Sequence, residues 1–223
     1  MTKRIIIKPW ILKFKAFLLY WSLSLTLIQA QNSLTKTIAA DSINTIAING
    51  NQIFNISVTT TKNNRILVSS TLDGEYQNKY QIALKHDGNQ LLLGLDYVSF
   101  DDIPDDKRNA HKVIAATLKI EIPEDLMLNI KSDVGSVNLT GQFESIFIEL
   151  LQGYCNVNAN STSATINTID GNIKVVTNNA IINADSKYGN SKHENSKADP
   201  LESSENVWNL HSINGDITVV KQE

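Results

Sequence analysis

The chain has 223 residues, of which 20 are basic and 23 acidic, with 42% apolar side chains, 7% aromatic ones and a single cysteine. Five of the basic residues and none of the acidic ones fall in the first 30 positions. The remaining 193 residues therefore set 15 basic against 23 acidic, a formal charge of −8, which excludes nucleic acid and anionic membrane surfaces as partners because both need a basic footprint. One cysteine also excludes a scaffold stapled by internal disulfides.

At the N-terminus, Lys3, Arg4, Lys8, Lys13 and Lys15 precede an apolar run from Ala16 to Ile28, and Ala30 offers a cleavage site before Gln31. The run is shorter than the ~20 residues a spanning helix needs. Residues 1–30 therefore read as a cleaved signal peptide in preference to a retained anchor. No cysteine follows the run, so no lipid-modified N-terminus is expected. The expected location is the periplasm, the outer surface or the medium, with no membrane span left after cleavage.

Residues 31–127 read as a β-rich capping region. The stretches INTIAINGNQIFNISVTT, RILVSSTL, YQIALKHDGNQLLLGLDYV and KVIAATLKIEIP alternate or run apolar in strand fashion. Asp87-Gly88, between QIAL and LLLGL, is the best hairpin candidate. No amphipathic helix appears. The loop SFDDIPDDKRNAHK carries Asp101, Asp102, Asp105 and Asp106, and clustered carboxylates are a weak Ca²⁺ candidate. Their spacing lacks the glycine and terminal glutamate of an EF-hand loop, so a solvated surface loop is the preferred reading.

From residue 128 to 223 a repeat appears. Gly135, Gly153 and Gly171 lead to Gly189 in steps of 18, and Gly215 follows after 26. The eight additional residues fall in a polar insert at about 190–206 that contains Pro200. Seven residues before each glycine stand Leu128, Ile146, Ala164, Ile182 and Trp208; five before stand Ile130, Ile148, Ile166, Ala184 and Leu210. Two after stand Val137, Cys155, Ile173, Ser191 and Ile217; four after stand Leu139, Val157, Val175, His193 and Val219. Three before, the residue is usually hydroxylated: Ser132, Thr168, Ser186 and Ser212, with Leu150 the exception. Each unit is two short strands with one apolar face, joined at a glycine. The fourth departs, its second strand being replaced by polar residues.

A unit this small must stack on its neighbours to bury its apolar face. A β-solenoid with 18-residue coils and an antiparallel meander or sandwich bury the same columns. The residue before the glycine favours the solenoid. A type I′ hairpin needs positive φ at both central positions, yet Val134, Gln152, Asp170, Tyr188 and Asn214 occupy that place, and β-branched valine resists it. A coil corner needs only the glycine. The expected fold is thus all-β, a solenoid over 128–223 behind an irregular β-layer. In it Gly171 stacks over Gly153 and Gly135, and the charged C-terminus protects the far edge.

Candidate chemistry is sparse. Cys155 falls at an inward position and reads as a small buried hydrophobe. His86, His111, His193 and His211 are dispersed, and none sits at metal-ligand spacing. No nucleophile-elbow motif occurs, and Asp170 and Asp216 stand isolated on outward columns, which argues against a polysaccharide-cleaving β-helix enzyme. The outward columns are rich in amides and hydroxyls. Asn138, Asn156 and Lys174 share one offset, and Asn129, Thr165, Asn183 and Asn209 another. They either ladder among themselves or read a protein or glycan surface. Three glycosylation-type sequons, at Asn55, Asn138 and Asn160, arise by chance in a chain of this composition. No enzyme activity, cofactor or metal is expected.

The series LKIEIPEDLMLNIKSDVGSVNLTG, then INTIDGNIKVV and LHSINGDITVV, resembles the bacterial adhesin-type families of unknown function, of the DUF4097 and auto-transporter-adhesin-head kinds, over roughly residues 40–220. The resemblance implies a right-handed β-helix-like fold and a cell-envelope or secreted location, and brings no catalytic residues. The function expected is a non-enzymatic exported envelope or surface module. The alternative is a periplasmic accessory of an envelope-stress or signalling system.

Overall fold

A computed structural model describes residues 32–73, 80–97, 115–178, 180–194 and 205–221. The expected signal peptide, the Asp101–Asp106 cluster and most of the polar insert lie outside these. The chain clusters into two units, residues 1–31 and residues 32–223, and everything below concerns the second.

The described residues contain no helix and form fifteen strands of one mixed sheet. In chain order these are β1 (Asn32–Ala39), β2 (Thr45–Asn49), β3 (Ile53–Thr61), β4 (Arg65–Asp73), β5 (Tyr80–Asp87), β6 (Gln90–Tyr97), β7 (Ala115–Pro123) and β8 (Met127–Val134). They continue with β9 (Ser136–Gln152), β10 (Cys155–Asp170), β11 (Ile173–Thr177), β12 (Ile181–Ser186), β13 (Ser191–Glu194), β14 (Val207–Ser212) and β15 (Ile217–Lys221). Hydrogen bonding arranges them in two ladders. One runs β5-β6-β2-β8-β9-β10-β14-β12 and the other β1-β4-β7-β3-β9-β10-β11-β15-β13. The ladders join because β9 and β10, 17 and 16 residues long, take part in both.

From β6 and β7 onward every pairing is parallel. β9 and β10 align with an offset of 18, Ile146 beside Ala164 and Val137 beside Cys155, and β11 continues with Ile173 beside Cys155. The segment around Gly171 is therefore no hairpin. Thr168 pairs with Ser212 and Ile173 with Cys155 and Ile217. Asp87-Gly88 does form one: β5 and β6 are antiparallel, Asp87 faces Gln90, and Gly88 takes the positive φ of 59° such a turn requires.

The inward columns meet in a single core. Leu128, Ile146, Ala164 and Trp208 are buried in the first ladder, and Val137, Cys155, Ile173 and Ile217 in the second. Each aliphatic side chain so buried contributes about 1.5–3 kcal/mol, and stacking supplies what a single two-strand unit lacks.

Three expectations need correction. First, residues 31–127 are not wholly an irregular capping layer. β2 aligns with β8, Ile46 beside Leu128 and Ile48 beside Ile130, and β3 aligns with β9, Ile56 beside Val137. Thr45–Thr61 is thus a further pair of strands in parallel register with the repeat units. Its register with β7 shifts between Ile53 and Asn55, and this one-residue bulge, with no glycine in the column, hid the periodicity. Second, spatial order departs from chain order. β14 lies between β10 and β12, and β15 between β11 and β13, so the last unit is inserted between the third and the fourth. Third, the strands that end the two ladders opposite β5 and β1 are, among the described residues, β12 and β13, not the C-terminal segment.

That placement explains the fourth unit. β13 does form, pairing with β15 through Ser191–Glu194. β12 alternates exposed and half-buried residues, where β14, one strand in, alternates exposed and buried ones. An end strand presents unpaired backbone groups, and polar, charged residues discourage another chain from adding there.

Candidate functional site

The glycine column forms one corner of the stack. Each glycine stands so close to its neighbour that a side chain has no room. A Cβ at Gly153 would lie 1.9 Å from the Gly135 carbonyl oxygen, one at Gly171 1.6 Å from that of Gly153, and one at Gly215 2.0 Å from that of Gly171. Gly189 completes the column against Gly215, 2.3 Å from its oxygen. Gly135 and Gly153 also carry φ of 144° and 128°, a region other residues avoid.

The hydroxyls three residues before the glycines line the inside of this corner. Thr168 Oγ1 donates to the Gly171 carbonyl at 2.8 Å and lies 3.0 Å from Ser212 Oγ, which accepts from the Gly215 N–H at 2.9 Å. Ser186 Oγ donates to the Gly215 carbonyl at 2.7 Å and accepts from the Gly189 N–H at 3.0 Å. Ser132 Oγ reaches the Gly50 carbonyl at 2.9 Å. Backbone groups at a buried bend otherwise lack partners. The hydroxyl column supplies them, which is why Ser or Thr recurs there.

On the outside, the amide columns bond to one another. Asn138 Nδ2 donates to Asn55 at 2.9 Å, Asn156 to Asn138 at 3.2 Å, and Asn183 to Asn209 at 3.0 Å. The residues after the last glycines form a second ladder. The Asp216 N–H donates to Asn172 Oδ1 and the Asn190 N–H to Asp216 Oδ1, at 2.9 and 2.8 Å. The Asn190 backbone, then its side-chain amide, hold the Asp216 carboxyl below its ordinary value.

Other titratable groups also have structural occupations. Lys131 Nζ meets Glu149 at 2.6 Å and lies 5.3 Å over the Phe147 ring, and His211 lies 3.2 Å from Asp185. Cys155 is fully buried, and desolvation pushes its thiol up to about 12, so it packs as a hydrophobe. Among the described residues no group of three or more metal-ligating side chains converges, and no helix is long and apolar enough to cross a membrane. The Ca²⁺ candidates Asp101, Asp102, Asp105 and Asp106 lie outside the described residues.

The feature that sequence reading passed over is an apolar edge at the glycine corner. Phe54, Val134, Leu151, Tyr154 and Ile169 are all exposed, between 44% and 66%, and they occupy four adjoining coils within two residues of the column. Leu151 and Ile169 share the offset two before the glycine, a signal present in the repeat alignment. Phe54 was hidden by the bulge that sets its coil out of phase. Large apolar side chains left exposed in one contiguous patch mark an interaction surface in soluble proteins; here they recur at offsets of one and two residues from the glycines.

No protein-family model matches the sequence, and no curated protein matches it. Solved structures do match in shape. A putative cell adhesion protein from Clostridium sporogenes, 11% identical, superimposes with a TM-score of 0.62 over 86% of this chain and the whole of its own. A putative adhesin from Bacteroides fragilis, 12% identical, and one from Parabacteroides merdae, 11% identical, each align over 86% of this chain and 97% of theirs. Their TM-scores of 0.36 and 0.27 carry no argument. What the chain shares with the Clostridium sporogenes protein is its fold.

Proposed function

We propose that the protein is an exported, non-enzymatic binding module of adhesin type, displayed at the cell envelope, and that its parallel ladders constitute a β-solenoid of 18-residue coils related to the DUF4097 kind. The observation that carries this reading is the register of the ladders. From β9 to β10 and on to β11 the outward residues recur at an offset of 18, so this part of the exposed surface is periodic, and packing fixes it in place. Such a surface suits an extended partner better than a small substrate. The likeness in fold to a putative cell adhesion protein supports the same reading, as does the structural use of Asp216, Asp185, Glu149 and Cys155.

Protease treatment of intact cells tests the location. An exposed module is digested while cytoplasmic markers survive. Survival of the protein until the envelope is opened refutes surface display and gives the periplasmic accessory reading instead. Beads coated with the purified protein test binding itself: they are expected to adhere to envelope or matrix preparations, and failure to adhere refutes the binding module.

A further inference from the structure

We infer that the row of residues two positions before the repeat glycines is a self-association surface, on which two copies of this chain meet side by side in opposite directions. The inference goes beyond the binding-module reading and does not depend on it. The strand registers set this row in the order Asp133, Leu151, Ile169, Ile213, Lys187. Ser132 and Val134 pair with Leu150 and Gln152, which places Asp133 beside Leu151. Leu150 and Gln152 pair in turn with Thr168 and Asp170, which places Leu151 beside Ile169. Beyond the paired ends of β14 and β12 the backbone keeps the same register. The Ile213 and Asn214 N–H groups donate to the Thr168 and Ile169 carbonyls at 3.1 and 2.9 Å, and those of Lys187 and Tyr188 to the Ser212 and Ile213 carbonyls at 3.0 and 2.9 Å. Four strand spacings, roughly 19 Å, separate the two ends of the row.

The middle of the row is apolar: Leu151 and Ile169 are 47% and 44% exposed, and Ile213 is half-buried. Its ends, Asp133 and Lys187, are exposed and of opposite charge. Among the described residues neither has an ion-pair partner in its own chain, and the Lys187 Nζ rests 5.0 Å from the centroid of the Tyr188 ring. A two-fold axis through Ile169 reverses the row. It sets Ile169 against Ile169 of the second copy, Leu151 against Ile213, and Asp133 against Lys187 twice over. A two-fold dimer needs a surface that is its own complement, and this charge order complements itself when reversed. A partner of single charge, such as an anionic lipid, would meet an opposite charge at one end of the row and a like charge at the other. The polar, charged end strands β12 and β13 discourage end-on growth, which leaves the side of the stack. A single row is a small contact, so the dimer belongs to the weak class, with association in the micromolar to millimolar range.

The test is sedimentation equilibrium of the purified protein at concentrations up to about 1 mM, the weak end of measurable association. A monomer–dimer equilibrium is expected. Ile169→Asp places a carboxylate at the axis in each copy and abolishes it. Asp133→Lys and Lys187→Asp each weaken association by roughly ten-fold, because one substitution turns both symmetric attractions into repulsions. The double variant, Asp133→Lys with Lys187→Asp, restores it. The same axis brings Asp170, next to Ile169, towards its own counterpart, so Asp170→Asn tightens the dimer about two- to five-fold. All five positions substituted or paired here are exposed, so unchanged thermal unfolding of the variants is expected and is checked alongside. A monomer at every concentration overturns the inference, as does a dimer indifferent to Ile169→Asp or to the two single charge reversals. Failure of the double variant to restore association overturns the antiparallel arrangement and the inference with it, and absence of tightening by Asp170→Asn overturns the axis at Ile169. If the protein stays monomeric while Ile169→Asp stops coated beads from adhering to envelope preparations, the row serves another partner and the self-association surface is refuted.

Discussion

Replacement of Gly153 by alanine tests the close stacking of the corner most directly. The new Cβ would sit 1.9 Å from the carbonyl oxygen and 2.6 Å from the carbonyl carbon of Gly135. Both are backbone atoms that cannot rotate away. Alanine must also accept the φ of 128°, a strained conformation costing about 1–3 kcal/mol. Forcing the two coils apart costs about 1–3 kcal/mol more, as overpacking does elsewhere. The loss is therefore roughly 2–6 kcal/mol, a large share of the ~5–15 kcal/mol that stabilises a typical domain. Gly88 is the control, because it has φ of 59° and nothing within 4 Å of a Cβ, so Gly88→Ala costs only about 1–2 kcal/mol. Gly171→Ala isolates the steric part, since Gly171 is not among the glycines with positive φ and its Cβ would lie 1.6 Å from the Gly153 oxygen; about 1–3 kcal/mol is expected. Guanidinium unfolding of protein lacking residues 1–30, followed by the fluorescence of Trp208, its remaining tryptophan, measures all three. A Gly153→Ala variant no less stable than Gly88→Ala would refute the stacking argument.

The inserted last unit gives a second test. Trp208 is fully buried and its Nε1 donates to the Ser161 carbonyl at 3.1 Å, so Trp208→Ala is expected to cost about 3–5 kcal/mol in thermal or denaturant unfolding followed by circular dichroism. Removal of residues 205–223 takes away the parallel partners of β12 and β13. The amides of Ile181–Ser186 and Ser191–Glu194 then lose their hydrogen-exchange protection; retained protection would mean that the fourth unit had closed directly onto the third. Cys155 provides a pH test. Its folded thiol ionises near 12 and its ordinary value is 9.0, so the unfolded chain gives up its proton first. The associated stability is intact below pH 9 and falls at about 1.4 kcal/mol per pH unit above it. Cys155→Ala flattens that slope, and an unchanged slope refutes the assignment. In the native protein at pH 8 a thiol-specific reagent leaves Cys155 unmodified until denaturant is added. Asn138→Ala removes the middle of the Asn55–Asn138–Asn156 ladder and is expected to lower stability by about 0.5–1.5 kcal/mol, measured as a shift in the denaturant midpoint.

The strand content, the inward columns and the role of the glycines were legible in the sequence because they are strictly local or strictly periodic. Period-two alternation fixes which face of a strand is buried, and a step of 18 repeated without error requires that equivalent residues meet. The hydroxyls before the glycines were visible as a column, though not as the donors and acceptors that satisfy the corner. The apolar edge was also partly visible, since Leu151 and Ile169 share an offset.

Sequence by itself determined an all-β chain, the side chains that make its core, and an N-terminal segment with the features of an export signal. Tertiary structure decided which repeat unit lies beside which. Nothing in the repeat distinguishes a final unit stacked on the fourth from one inserted beneath it, since every unit offers the same columns to either neighbour. The choice rests on which unit tolerates exposure. The fourth, with Asp185, Lys187 and Lys192, loses little at the end of the stack. The fifth, with Trp208, Leu210 and Ile217, gains most from a neighbour on both sides. Pairing of β3 with β9 likewise decided the apolar edge, because it brings exposed Phe54 beside the repeat units that carry Val134 and Tyr154.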